Sequence, residues 1–415
     1  MKLRCLSILL SFLLPALSHG EISWQNAVTN YNRHEYGAAN QNWMIEQSDN
    51  GWMYFANNKG LLEFDGVYWN TYALDLGAKM RSVKYVGNRV YVGGLGQFGY
   101  FYPNKLGQLS YRCLSNIFKK SDVTNIWNIL TLDNQIIFQG DKSLFCMRGN
   151  KIRRIECQYG INFSAVVYND VYVSTSQGIY ILSGAQFLPV AGCRLNIRSN
   201  IVGMLPLSGG ILIVTSQDGL YLYKGGVVKP FHTDADQYLQ SNRITSVSMN
   251  RHHIAFGTMR SGAVLLNSEN NTASRFSRAN GLQNESVLSV FFDRNDNLWL
   301  GFDNGIDCIS LDSPLFFFNN SFSSIGSGYA SCTYHNKLYL GTNQGLYQSN
   351  IPVSLRENVD IKFIPEASGQ VLSINEHDDK LFCGGRNFFL MIDGEQIISF
   401  PLTSNSQRIR LLEPI

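Results

Sequence analysis

One pattern recurs along the chain with a spacing of about 41 residues, and it restricts the fold more than any other feature. Each copy is an alternating apolar run, a polar turn, a second alternating run closed by a small residue, a short turn with glycine, and a third apolar run. The clearest copies begin at Ser48 (SDNGWMYFANNKGLLEF), Asp293 (DRNDNLWLGFDNGIDCI) and His335 (HNKLYLGTNQGLYQS), with weaker ones from Gly87, Asp133, Asn169, Gly209, His252 and Asp378. Aligning the residue that closes the second run gives Ala56, Gly93, Gln139, Ser174, Val214, Gly257, Gly301, Gly341 and Gly384, at intervals of 35 to 46 residues. A period of that length suits a four-stranded antiparallel blade. The two-residue alternation in VYVSTSQGIYI and KLYLGTNQGLY leaves no helical face, which excludes leucine-rich and helical repeats.

Turn chemistry and composition agree. Asp49-Asn50-Gly51, Asp296-Asn297 and Asn336-Lys337 fall between the first and second runs, where a hairpin needs positive φ. Gly60, Gly178, Gly219, Gly262, Gly305 and Gly345 mark the next hairpin as a backbone requirement. Phe 25, Tyr 21 and Gly 37 against 10 Pro and 16% charged residues are the usage of strands and turns. The expected fold is all-β: a β-propeller with four-stranded blades, one seven-bladed ring plus the first blades of a second, because nine copies exceed the four to eight that close one ring.

The expected domains are a signal peptide at 1–20, a seven-bladed ring over 21–320, and the start of an incomplete second propeller over 321–415. Lys2 and Arg4 precede an apolar run from Leu6 to Leu17 and small residues Ser18 and Gly20. That run is too short to span a bilayer. The Ser- and Asn-rich stretch Asn319–Gly328 suits a join between rings. A chain that ends in mid-repeat on LLEPI reads as truncated.

Two stretches carry a family resemblance. GLQNESVLSVFFDRNDNLWLGFDNGIDCIS, from Gly281 to Ser310, closely resembles the propeller repeat of the large periplasmic sensors in Bacteroides-type hybrid two-component and related membrane regulators. It matches at Gly281, Leu282, Val287, Val290, Asp293, Asn297, Leu298, Trp299, Gly301, Asn304 and Gly305. Gln41 to Trp69 looks like the opening blade of that family. Only one copy keeps the repeat's tryptophan, Trp299, so the other blades are degenerate. The resemblance implies a periplasmic sensor whose full-length form continues into a small β-sandwich, a membrane helix and a cytoplasmic output, either a histidine kinase or a helix-turn-helix domain. It also implies paired receptor chains, hence a homodimer, responding to a polysaccharide breakdown product.

Chemistry is sparse. No phosphate-binding glycine loop, nucleophile elbow or helical histidine pair is present, so no cofactor, metal or enzymatic activity is expected. His252-His253, adjacent on a strand, point to opposite faces. Asp49, Asp65, Asp218 and Asp293 are candidate acids for glycoside cleavage, but they sit at turn positions where Asp caps backbone amides. Seven cysteines after Cys5, without regular spacing, imply no disulfide framework; Cys146, Cys308, Cys332 and Cys383 read as small buried hydrophobes. The net charge of +3 is spread out, which argues against nucleic acid as a partner.

What remains is binding of an oligosaccharide or other small ligand at a propeller face. The candidate ligand residues, chosen near turns or run ends, are Trp69, Tyr72, Tyr100, Trp127, Arg260 and Arg386. Two alternatives stay open: a secreted propeller enzyme acting on polysaccharide (a lyase or glycosidase), and an interaction scaffold.

Overall fold

The computed structural model describes residues 25–401 apart from 75–76, 312, 314–315, 318–324, 352–360 and 387. The expected signal peptide at 1–20, residues 319–324 of the expected join, and the terminal LLEPI lie outside the described residues. The chain divides into two compact units, Asn26–Leu315 and a second from Phe316 onward.

In the first unit, six blades are each built from four strands consecutive in sequence, beginning with Asn42–Gln47, Met53–Asn57, Gly60–Phe64 and Trp69–Tyr72. The inner strands neighbour one another in chain order, and the seventh returns to the first, so the ring is closed. Eight of the nine residues aligned in the sequence lie opposite the inner-strand residue just past that strand's register step, as in Met44 with Ala56, Ser82 with Gly93 and Ser289 with Gly301; the ninth, Ser174, lies opposite Phe163, which begins its strand without a step. All but Gln139 and Val214 are small. The reason for a small residue is steric. A Cβ on Gly257 would come within 2.7 Å of Val287 Cγ1 on the next blade, and one on Gly301 within 2.8 Å of the Asn42 carbonyl.

The seventh blade is completed by the chain's first described strand. Gln25–Tyr31 pairs antiparallel with Ile306–Ser310, from Ala27 opposite Ser310 to Tyr31 opposite Ile306. Polar side chains lock this closure. Asn30 Nδ2 donates to Asp307 Oδ1 at 2.8 Å, and Gln283 Nε2 donates to the same oxygen at 2.6 Å and to the Tyr31 carbonyl at 3.2 Å. Asp307 is fully buried, and burial pushes its pKa up.

The apolar core forms slabs between successive blades. Phe55, Leu62 and Phe64 of the first blade pack with Trp299, Ile306 and Cys308 of the seventh across the closure. Both faces of each blade are thus covered, and central strands such as Leu298–Phe302 are buried at every position. The consensus turn Asp293–Trp299 is saturated internally. The Asp293 carboxylate accepts from the Asn295 and Asn297 amides, each at 2.9 Å, and from buried Trp299 Nε1 at 2.8 Å.

The second unit contains two four-stranded blades, beginning with Gly328–Tyr334 and Val371–His377, which share one core through Tyr339, Leu346, Leu381 and Leu390. Two expectations need correction. Gly345 does not adopt positive φ, unlike Gly60, Gly178, Gly219, Gly262 and Gly305; it is small because Phe363 and the Ala367 carbonyl crowd it. Cys332 is half-buried, whereas Cys146, Cys308 and Cys383 are buried; none of the seven described cysteines is in a disulfide.

Candidate functional site

Six of the ring's seven inner strands start with a register step that leaves one extra residue. The steps fall between Asn42 and Met44, Met80 and Ser82, Ile126 and Asn128, Ile201 and Gly203, Ile244 and Ser246, and Val287 and Ser289. Such bulges re-aim a side chain. The extra residues, Trp43, Arg81, Trp127, Val202, Thr245 and Leu288, all line one cavity of about 610 Å³ to which every blade of the ring contributes. That volume lies within the roughly 300–1,000 Å³ usual for small-ligand sites.

Three successive blades supply a Trp, an Arg and a Trp at this position. The Arg81 guanidinium carbon sits 4.1 Å from the Trp43 ring centroid and 5.6 Å from that of Trp127. Trp43 Nε1 and Arg81 Nη1 both donate to Asn58 Oδ1, at 2.9 and 3.1 Å. Trp127 Nε1 donates to Asp141 Oδ1 at 2.7 Å, and the indole remains 39% exposed. Burial pulls the Arg81 pKa down.

Unpartnered polar groups converge here. Among the described residues, three buried side-chain atoms lack a hydrogen-bond partner: Arg81 Nε, Gln139 Nε2 and Ser246 Oγ. All three residues line the axial cavity. Gln139 is 1% exposed and its Oε1 already accepts from Ser164 Oγ at 2.6 Å, so only its amide donors are free. Buried polar groups are ordinarily satisfied, and leaving one unpaired costs about 1–3 kcal/mol. Arg243, also on the lining, holds φ of 56°, a conformation that non-glycine residues adopt at a cost. A second cavity of about 490 Å³ opens between the fourth and fifth blades. It shares Asn162, Asn200 and Ile201 with the first, so the two adjoin.

Of the six candidate ligand residues, Trp127 lines the axial cavity and the other five do not. Trp69 stacks on Phe64 with centroids 4.3 Å apart, on the outermost strand of its blade. Tyr72, on that same strand, donates through its hydroxyl to Glu63 Oε1 at 3.0 Å, and burial with the Glu63 charge pushes its pKa up to about 12. Tyr100 is buried against Tyr91 beneath the Arg89 guanidinium. Arg260 is exposed on a hairpin next to Met259, and Arg386 is exposed in the second unit. Trp43, Arg81, Gln139 and Arg243 were missed. Their signal was present, because Trp43, Arg81 and Trp127 share one register when the first runs of the repeats are aligned.

The candidate acids are committed elsewhere. Asp65 caps the Val67 and Tyr68 amides at 2.8 and 2.7 Å, Asp218 accepts from the Arg198 and Ser199 amides, and Asp49 pairs with Arg294. Asp141 is the one carboxylate among the residues lining the axial cavity. The His252 and His253 rings lie 6.5 Å apart and tilted by 67°, with His252 facing Glu269.

Fold and cavity together describe a seven-bladed β-propeller with a cavity on its axis, followed by two further blades. No protein-family model and no curated protein matches the chain. Among solved structures it is similar to the extracellular domain of a hybrid two-component system from B. thetaiotaomicron, at 16% identity and a TM-score of 0.68, over 92% of this chain and 55% of that one. It is also similar to the extracellular domain of a one-component system from B. thetaiotaomicron, at 17% identity and 0.56, over 91% and 53%. The virginiamycin B lyase of Staphylococcus aureus matches at 14% identity and 0.54, over 69% of this chain and 99% of that one. At these identities the likeness is one of fold, and the chain spans about half the length of the two B. thetaiotaomicron domains.

Proposed function

We propose that this chain is the extracytoplasmic ligand-sensing propeller of a transmembrane signalling or transcription regulator, and that its ligand, a glycan breakdown product, binds in the axial cavity. The observation that carries the reading is the convergence of Arg81 Nε, Gln139 Nε2 and Ser246 Oγ, each buried without a partner, on one cavity. An open indole face on Trp127 suits the apolar face of a sugar ring, while Gln139, Asn128 and Asp141 suit its hydroxyls. The domains it resembles in fold are extracellular parts of one- and two-component systems, which favours a sensing role and a periplasmic setting. In the full-length receptor, tethered to the membrane and paired as a homodimer, a ligand with different affinities for two arrangements would bias the output.

The test is thermal unfolding of the purified chain against a panel of oligosaccharides. A ligand of the native state at about 100 times its Kd adds roughly 2.7 kcal/mol of stability, and Trp127→Ala should abolish the rise in midpoint. A panel that leaves the midpoint unmoved at millimolar sugar would overturn the reading. A second reading is an enzyme acting on polysaccharide, since a lyase is among the proteins of similar fold. Against it, glycoside cleavage by acid–base chemistry takes a pair of carboxylates, and the cavity lining holds Asp141 alone. Release of shortened products from a polysaccharide would reverse that preference.

A further inference from the structure

The charges around the axial cavity are unbalanced. Arg81 and Arg243 line the cavity itself, and Arg194 and Arg198 line the adjoining groove between the fourth and fifth blades, against the carboxylate of Asp141 on the cavity and that of Asp218, which accepts from the Arg198 and Ser199 amides beside the groove. Asp141 does not neutralise Arg81. Its Oδ1 accepts from the Trp127 indole at 2.7 Å, and its Oδ2 faces the Asn125 amide at 3.4 Å. The Arg81 guanidinium gives one donor to neutral Asn58 and rests on the Trp43 ring, while its Nε, shielded from solvent, has no acceptor. A shielded cation without an acidic partner is costly to keep. A planar guanidinium whose Nε lacks an acceptor is the half of a bidentate pair that a carboxylate or sulfate completes.

Resting on the sensing role put forward above, we propose that the ligand is an acidic oligosaccharide whose carboxylate or sulfate pairs with Arg81, and whose remaining sugars lead out along the groove past Arg194 and Arg198. Trp127 serves the ring of the sugar and Arg81 its charge. Neutral sugars of the same length keep the first contact and lose the second.

The experiment is calorimetric titration of the chain with trigalacturonate, a galactose-sulfate disaccharide, and the neutral galactotriose and galactobiose, at low and high salt. At least one acidic sugar should bind roughly tenfold or more tightly than its neutral counterpart, and weaken as salt rises. Which acidic sugar wins distinguishes a uronate from a sulfate ester. Arg81→Gln should remove that advantage, so that acidic and neutral sugars bind alike, with Arg81→Lys recovering part of it. An unshifted thermal midpoint for each variant without sugar would establish that the fold is intact. Neutral sugars binding as tightly as acidic ones, or acidic binding indifferent to Arg81→Gln, would overturn the proposal and leave the sensing role standing. Failure of every sugar to bind would overturn both.

Discussion

The seventh blade and the cavity ends of the first three blades are made from the same repeat and treat polar groups in opposite ways. In the seventh, Asp293 accepts from two backbone amides, Asn297 and the Trp299 indole, so its turn is closed upon itself. In the first three, the positions that begin the inner strands carry Trp43, Arg81 and Trp127, and donors at Arg81 and Gln139 are left open. Residues that keep the repeat hold the blade together. Departures from it gather at the axis.

That contrast can be broken by substitution, and the largest effect belongs to the seventh blade. Trp299→Ala should cost about 3–5 kcal/mol in urea unfolding, since it empties a buried site at the seam with the first blade and removes one donor to the Asp293 carboxylate. Gly301→Ala should cost about 1–3 kcal/mol, because its methyl meets the Asn42 carbonyl of the neighbouring blade. A smaller effect should appear in alkali. Burial, with Asp293 and Asp307 nearby, pushes the Cys308 thiol up to about 12, so the native chain keeps a proton that the unfolded chain releases as pH passes the ordinary thiol value. The native state then binds more protons than the unfolded state, and stability must fall as pH rises. Cys308 alone should account for roughly 1 kcal/mol one pH unit above that value, a loss that Cys308→Ala removes. At the axis the sign changes. Gln139→Leu should alter stability by less than about 1 kcal/mol, since removing an unpaired buried donor offsets the lost bond to Ser164, yet it should weaken sugar binding. A large loss of stability there would show that the axial groups are structural after all.

The fold was legible because a propeller repeats one steric demand. Wherever the second strand meets the next blade a small residue is favoured, and eight of the nine aligned residues share that position. The closure by Gln25–Tyr31 was not legible, since this strand lies outside the repeat and finds its partner about 280 residues away. Of the six candidate ligand residues, the sequence placed only Trp127 on the axial cavity. Alternation tells which face of a blade a side chain takes, but not how far the strand lies from the axis. Trp69 and Tyr72 lie on the outermost strand of their blade, away from the axis. Gln139 looked like an irregular member of a column of small residues, and its irregularity was the signal.

The strand that completes the seventh blade is also among the first parts of the ring to be synthesised. Its pairing partner, Ile306–Ser310, is among the last. Through most of synthesis this segment can only wait, and the ring stays an open arc whose two end blades expose the apolar faces that Trp299 and Phe55 later bury together. Contacts between sequence-distant segments make such closure slow. A latch held back until its far end arrives keeps the ring from closing until Ile306–Ser310 has been made.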